Sequence, residues 1–394
     1  MQLGSAQWNF LTQSQRRLRR TLEVNDMAAF GGVRHKTQGL LALSLLTASA
    51  VAQAQSTVTA YGVMDLGLMR TDFSRSGAGS LNEEVSGLRN GSRLGFRGVE
   101  DLGGGVQARF QLEQGINANT GSLGQGGRGF GRQSYVALQG AFGTFALGRM
   151  GTVGSGTGAF EIVSDFDPFQ MGFGAAGVGS TMSESVGLRT DNAILYRTPK
   201  FGGFQATWLH SLQANGAQGV SSTNTRVDSI GAAFQSGPLQ AAATYLVAKF
   251  PDANAFKDEK LLQLGLAYDL KVVKLHAMFA NETGVRSALI SATGGVAAGA
   301  DATAWMLGIS APIGQHKVLA SYQVRNGKQQ TVGTTAFDAD RKVLGLGYEY
   351  WLSKRTNLNA VIAKTSGSGS LVVGAASTDF ANLRQVAVGV THRF

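Results

Sequence analysis

The sequence predicts an all-β chain, a closed antiparallel transmembrane β-barrel of sixteen strands. Three observations lead there. Apolar and polar residues alternate over segments of about ten positions, the pattern of a strand with one face in lipid and the other on a lumen. The connectors between these segments fall into two lengths, seven short and eight long. Beyond residue 54 no apolar run reaches the roughly 20 residues that a spanning helix needs, yet the chain opens with an export leader.

The leader comes first. Residues 39–52, GLLALSLLTASAVA, form the most apolar run of the chain; Arg34, His35 and Lys36 precede it, and Ala52-Gln53-Ala54 closes it. Basic, apolar and small-x-small in that order make a secretory signal peptide, with cleavage expected after Ala54. Such a peptide would start at Met27. Residues 27–54 are therefore read as the signal, residues 1–26 as an upstream extension or mis-assigned start, and residues 55–394 as the barrel.

Alternation then runs through the remainder. Val106, Ala108, Phe110 and Leu112 take one face, and Gln107, Arg109, Gln111 and Glu113 the other. Val318, Ala320, Tyr322 and Val324 alternate with Leu319, Ser321, Gln323 and Arg325; Leu344, Leu346, Tyr348 and Tyr350 alternate with Val343, Gly345, Gly347 and Glu349. The last strand sets Val386, Val388, Val390, His392 and Phe394 against Gln385, Ala387, Gly389, Thr391 and Arg393. Short turns fall at 100–105, 140–143, 199–203, 236–239, 269–272, 312–317 and 352–356. Long Gly/Ser/Asn-rich connectors fall near 70–90, 117–131, 150–188, 212–225, 250–258, 283–301, 326–339 and 366–381. Short turns on the periplasmic side and long loops outside are the asymmetry of outer-membrane barrels, and closure removes the sheet edges that lipid could not satisfy. Tyr61, Phe96, Tyr196, Phe204, Trp208, Tyr268, Trp305, Tyr348, Tyr350 and Phe394 lie near strand ends, where amphipathic rings favour the headgroup level.

Composition excludes several classes. With no cysteine there is neither a disulfide framework nor thiolate chemistry. The 55 glycines against 5 prolines suit turns, loops and small lumen-facing positions. The net charge of +10 would suggest a nucleic-acid binder, but six of the 35 basic and two of the 25 acidic residues lie in the leader. The barrel keeps +6, scattered singly, and no nucleic-acid partner is expected. Gly172-Phe173-Gly174-Ala175-Ala176-Gly177 matches a dinucleotide fingerprint in letters only, with no buried strand before it or helix after it. His210, His276, His316 and His392 have no metal-ligand spacing; His392 is placed at the membrane interface. Neither a metal, a cofactor nor a catalytic residue is assigned.

From Ser56 to Phe394 the chain resembles the general trimeric porins of Gram-negative bacteria, those of β-proteobacteria above all. The motifs carrying this are Val58-Thr59-Ala60-Tyr61-Gly62 with Asp65, and the run from Ser92-Arg93-Leu94-Gly95-Phe96-Arg97 to Gly105. Next come Phe145-Ala146-Leu147-Gly148-Arg149, Asp191-Asn192-Ala193-Ile194-Leu195-Tyr196, and Pro199-Lys200-Phe201-Gly202-Gly203-Phe204. Leu352-Ser353-Lys354-Arg355-Thr356 and Val390-Thr391-His392-Arg393-Phe394 follow. The resemblance implies a homotrimer of sixteen-stranded barrels, a third loop (150–188) folded inward to narrow the pore, and a terminal Phe394 read by the barrel assembly machinery. Small hydrophilic solutes and ions are the expected cargo, and outer-membrane lipid and lipopolysaccharide the expected surroundings.

Pore selectivity comes from diameter and from charges at the narrowest point. Alternation turns Arg93, Arg97, Arg109 and Arg197 into the lumen. The resemblance adds Arg132 and Arg149, whose parity is shared with Val136 and Leu138 and with Phe145 and Leu147 respectively and so leaves their face open. Glu161, Asp165 and Asp167 stand opposite, on the third loop. A basic wall facing an acidic loop gives a transverse field, and guanidinium stays charged at any relevant pH. The reading is a general diffusion pore, mildly anion-selective. A substrate-specific channel would show a dense lysine or aromatic ladder in the lumen, a barrel enzyme a Ser/His or Asp/His pair, and an adhesin would use the long loops.

Overall fold

The computed structural model describes residues 57–73, 79–176, 178, 189–251, 258–285, 300–327, 330–332, 335–337, 340–367, 370–373, 376–379 and 383–394. The expected leader and its cleavage point lie outside the described residues. Sixteen strands follow one another round the wall: β1 (Thr57–Phe73), β2 (Arg93–Gly103), β3 (Val106–Asn117), β4 (Gln133–Gly140), β5 (Gly143–Gly151), β6 (Arg189–Arg197), β7 (Phe204–Ser211) and β8 (Arg226–Ser236). The second half comprises β9 (Leu239–Lys249), β10 (Glu259–Asp269), β11 (Lys274–Val285), β12 (Ala300–Ile313), β13 (His316–Gly327), β14 (Arg341–Trp351), β15 (Thr356–Gly367) and β16 (Leu383–Arg393). Each pairs antiparallel with the next, and β16 returns to β1 in a register running from Val63 opposite Arg393 to Phe73 opposite Leu383. The barrel is closed, as the alternation and the two connector lengths predict.

The faces follow the residue parity. Along β16, Val386, Val388 and Val390 are exposed on the outer face, while Ala387 and Thr391 are buried within the barrel. Phe96, Tyr196, Phe204, Trp208, Tyr268, Trp305 and Tyr348 also face outward. Tyr61 departs from the expected girdle. It pairs with Gly95 on the inner face, and its hydroxyl donates to Glu113 Oε2 at 2.8 Å. Parity rather than proximity to a strand end decides its side, and a ring on the lumen face can satisfy its hydroxyl from a carboxylate there.

Four long connectors contain strand of their own among the described residues, the one after β3 through Ser122–Leu123, which pairs with Ile116 and Asn117. Residues Ser80–Ser86 pair with the loop-side half of β1, and the hairpins Gln330–Val332 with Thr335–Phe337 and Ser370–Val373 with Ala376–Asp379 belong to the loops before β14 and β16. Between Ser80–Ser86 and β2, residues 87–92 leave the wall and bend into the lumen, so that Leu88 and Arg89 are buried. Asp65 of β1 fixes this bend: its carboxylate accepts the Arg89 and Asn90 backbone N–H groups at 3.0 and 2.9 Å and the Thr391 hydroxyl at 2.6 Å.

Candidate pore constriction

The connector between β5 and β6 turns inward because its sequence is too apolar for a loop tip in water. Val153, Val163, Phe166, Phe169, Phe173 and Val178 are all buried, packed on the lumen face of the later strands. Burial of such side chains stabilises by about 1.5–3 kcal/mol each. The wall makes room with glycine. A Cβ on Gly265 of β10 would come within 2.4 Å of Phe166, one on Gly308 of β12 within 2.6 Å of Pro168, and one on Gly347 of β14 within 2.6 Å of Phe169. Gly231 of β8 and Gly345 of β14 receive Val153 and Val178 in the same way. The loop is thus keyed into alternate strands.

Two of its acids shape it. Glu161 accepts the Val163 and Ser164 N–H groups at 2.9 Å each and the Ser164 hydroxyl at 2.5 Å, and so holds the start of the 3-10 turn Ser164–Phe166. Asp167 is buried and accepts the Phe169 and Met171 N–H groups, both at 2.9 Å. Burial pushes its carboxyl up to about 6. The turn it holds is strained, with Gln170, Met171 and Phe173 in the left-handed region at φ of 50°, 55° and 54°. Asp165 is exposed to the lumen, and its carboxylate has no ion-pair partner among the described residues; its backbone carbonyl accepts Lys274 Nζ at 3.3 Å.

On the wall, Arg93 and Arg132 share one carboxylate, Glu113 of β3, at 3.5 and 2.7 Å. Arg132 precedes β4 and is outside its alternation, which is why parity left its direction open. Arg97 lies over the Tyr61 ring, 5.2 Å from its centroid, and Arg109 donates to Gln139 Oε1 at 2.7 Å. Arg197 donates to Thr207 Oγ1 at 2.9 Å and to the Phe160 carbonyl, and stacks 5.3 Å over the Phe160 ring, so it grips the root of the loop. Arg149 belongs to another knot. With Arg128 it holds Asp191, at 2.6 and 2.8 Å, and it donates to the Gly131 carbonyl at 2.8 Å. The knot lies at a bulge between β5 and β6. There Asn192 takes φ of 49°, and Gly148, at φ of 136°, has its missing Cβ position only 2.2 Å from the Ser134 carbonyl.

Two arginines join the site that parity did not find. Arg89 reaches from the inward bend to Glu349 of β14, donates to the Phe169 carbonyl at 3.1 Å and the Gln170 side chain at 3.3 Å, and stacks 5.4 Å over Phe173. It clasps the tip of the loop against the far wall. Arg189 donates to Thr157 Oγ1 at 2.6 Å and lies within electrostatic reach of Arg132, Glu113, Arg149 and Arg93. The bulge at Asp191–Asn192 breaks the alternation that could have assigned it. The histidines pair locally, His210 with Asp228, His276 with Ser310, His316 with Tyr348 and His392 with Thr356, and no metal-holding group occurs among the described residues.

Comparison with known proteins agrees with this architecture. A family model described as Gram-negative porin matches residues 40–370. An outer membrane porin protein of Bordetella pertussis is 36% identical over 90% of this chain and 99% of its own length. Outer membrane porin protein 32 of Delftia acidovorans is 31% identical over 91% and 99%. Among solved structures, the anion-selective porin from Comamonas acidovorans superimposes with a TM-score of 0.68 at 27% identity, over 86% of this chain and 100% of that one. OmpT of Vibrio cholerae, solved in a trimer form, shares the fold at 14% identity with a TM-score of 0.60. The closed sixteen-strand wall matches the fold of solved porins, and the chain belongs to the Gram-negative porins, channels of the outer membrane.

Proposed function

We propose that the channel is a general diffusion path for small hydrophilic solutes and ions with a mild preference for anions, and that it works as a homotrimer with no catalytic role. The observation that carries the preference is the imbalance of charge around the opening. Arg93, Arg132 and Arg189 gather about a single carboxylate, Arg97 lies over the neutral Tyr61 ring, and among the described loop acids Asp165 is the one whose carboxylate is not engaged in shaping the loop. The anion-selective relative supports the sign, and the trimeric neighbour supports the assembly. Export by a leader cut after Ala54, a surround of outer-membrane lipid and lipopolysaccharide, and insertion by the barrel assembly machinery complete the reading.

Reversal potentials in a KCl gradient across planar bilayers test it. The wild type should favour chloride, most strongly in dilute salt, where screening acts over roughly 10 Å at 0.1 M. Replacing Arg93 and Arg97 together by Ser should move the potential towards potassium while the barrel still folds. An unchanged ion preference in the double variant would remove these two residues from the filter.

A further inference from the structure

The cations of the lumen divide into two groups. Towards the long loops most of them make ion pairs: Arg93 and Arg132 with Glu113, Arg128 and Arg149 with Asp191, and Arg325 with Glu282. At the opposite, short-turn end, where Arg89 is paired with Glu349, five others are not ion-paired. Arg109 lies four positions into β3, Arg197 ends β6, Lys274 opens β11, Lys317 is second in β13 and Arg393 ends β16. All five share the inner face. Arg109 has the parity of Glu113, and Arg197 is beside buried Thr207. Lys274 reaches Gln240 at 2.7 Å, Lys317 has the parity of buried Leu319, and Arg393 that of buried Thr391. Their hydrogen-bond and ring partners are neutral: Gln139, Thr207 and a backbone carbonyl, Gln240, and the Trp351 ring, 5.2 Å from the Arg393 guanidinium. Glu161 lies within electrostatic reach of Arg197, Asp165 and Glu349 of Lys317, and Glu349 and Asp65 of Arg393. None of the five makes an ion pair among the described residues. Glu349, opposite Lys317 in the register, is already taken by Arg89.

The turns at this end add Lys200, Lys271, Lys354 and Arg355, against Glu100, Asp101 and Asp269. Asp101 and Asp269 each accept a backbone N–H of their own turn, from Gly103 at 2.9 Å and Lys271 at 2.7 Å. Positive charge is therefore in excess in a collar beneath the constriction loop, the nine cations named standing against Glu100, Asp101, Asp269, Glu349 and the loop acids Glu161 and Asp165; the loop touches the collar through Phe160 and Asp165. A monovalent ion meets one of these side chains at a time. An anion carrying several charges on neighbouring oxygens can meet two or three, and the attraction then adds within one screening length.

We propose that this short-turn mouth is a second anion site, separate from the constriction, which takes multivalent phosphate-class anions from the periplasmic side. It rests on the anion preference argued above and on short turns facing the periplasm, and it makes the channel's response to polyanions sided. The sequence has no cysteine, so a Ser222→Cys variant, with its thiol in the long loop between β7 and β8, reports the orientation of inserted channels through a membrane-impermeant thiol reagent.

In oriented bilayers at about 0.1 M KCl, tripolyphosphate on the short-turn side should block chloride current at a concentration at least about five-fold lower than on the long-loop side. Near 1 M KCl, where the screening length falls to about 3 Å, the difference should vanish. Lys274→Gln with Lys317→Gln should bring the two sides within about two-fold. If that pair fails to insert, Arg109→Gln, an exposed wall position, should reduce the asymmetry instead. Equal block from both sides, or asymmetry that survives neutralisation, overturns the proposal. A wild-type reversal potential on the potassium side would sink the general anion preference while leaving a sided block to be explained by the collar alone.

Discussion

Glu113 governs the charge of the opening more than any single arginine does. It accepts Arg93, Arg132 and the Tyr61 hydroxyl, and Tyr61 in turn accepts Gln111 at 2.6 Å and lies beneath Arg97. Removing one arginine removes one cation and leaves the carboxylate to the other. Removing the carboxylate uncovers two cations in a passage where the effective dielectric is below that of water and each charge acts further. Glu113→Gln keeps the shape and the hydrogen bond from Tyr61. We expect it to raise chloride preference, moving the reversal potential opposite to the Arg93→Ser, Arg97→Ser change. A shift towards potassium would mean that Glu113 does not face permeating ions.

The third loop is an element whose position is set by fit, with one buried acid, Asp167, in its seat. A valine at Gly347 would place its Cβ 2.6 Å from the Phe169 ring and 3.3 Å from Leu319, so neither neighbour can yield cheaply. Gly347→Val should leave a heat-modifiable barrel with altered single-channel conductance and more current noise; wild-type traces would show that the loop does not define the opening. Asp167 makes the seat sensitive to pH. Its folded pKa, about 6, is above the ordinary value of roughly 3.9 for a solvated aspartate. The protonated carboxyl is therefore favoured in the seated loop. The contribution is fully present below about pH 4 and lost as pH rises through 6, up to about 3 kcal/mol in all. Amide exchange of residues 163–171, corrected for its intrinsic pH dependence, should show stronger protection at pH 4.5 than at 7.5, and Asp167→Asn should flatten that difference.

At the scale of the whole molecule, the wall was legible and the interior was not. Alternation along β16 and β14, and the seven short turns, follow from chemistry within about ten residues of one another. Parity names a face but never a partner. Arg93 and Arg132 share Glu113 across intervals no local pattern encodes, and the Arg89 clasp on Glu349 joins residues 260 positions apart. Tyr61 misleads for the same reason: nearness to a strand end is a weaker signal than the side the pleat dictates. The glycines of β8, β10, β12 and β14 were readable as small lumen positions, but not as sockets for named side chains. Closure of the wall rests on a similar fit. Gly62 and Phe394 exchange backbone hydrogen bonds at 3.1 and 3.2 Å, and the Phe394 ring lies where a Gly62 side chain would be. Phe394→Asp should lower the amount of folded, heat-modifiable protein in the outer membrane; normal levels would show that the seam tolerates a charge there.

The keying of the third loop into later strands has a consequence for how the chain comes together. The sockets belong to β8 through β14, all made after the loop itself, and Gln323 grips the Val178 carbonyl across 145 positions. Contacts that distant in sequence form late, because long stretches of chain must first be ordered. Until the second half of the wall has curled round, Phe166, Phe169 and Phe173 hang from an open sheet as a greasy tongue. Such a surface invites aggregation in any slow intermediate, and it marks the stretch that a periplasmic chaperone would have to shield. Delay in the later strands would therefore be felt first as misfolding at the loop, far from the strand that was slow.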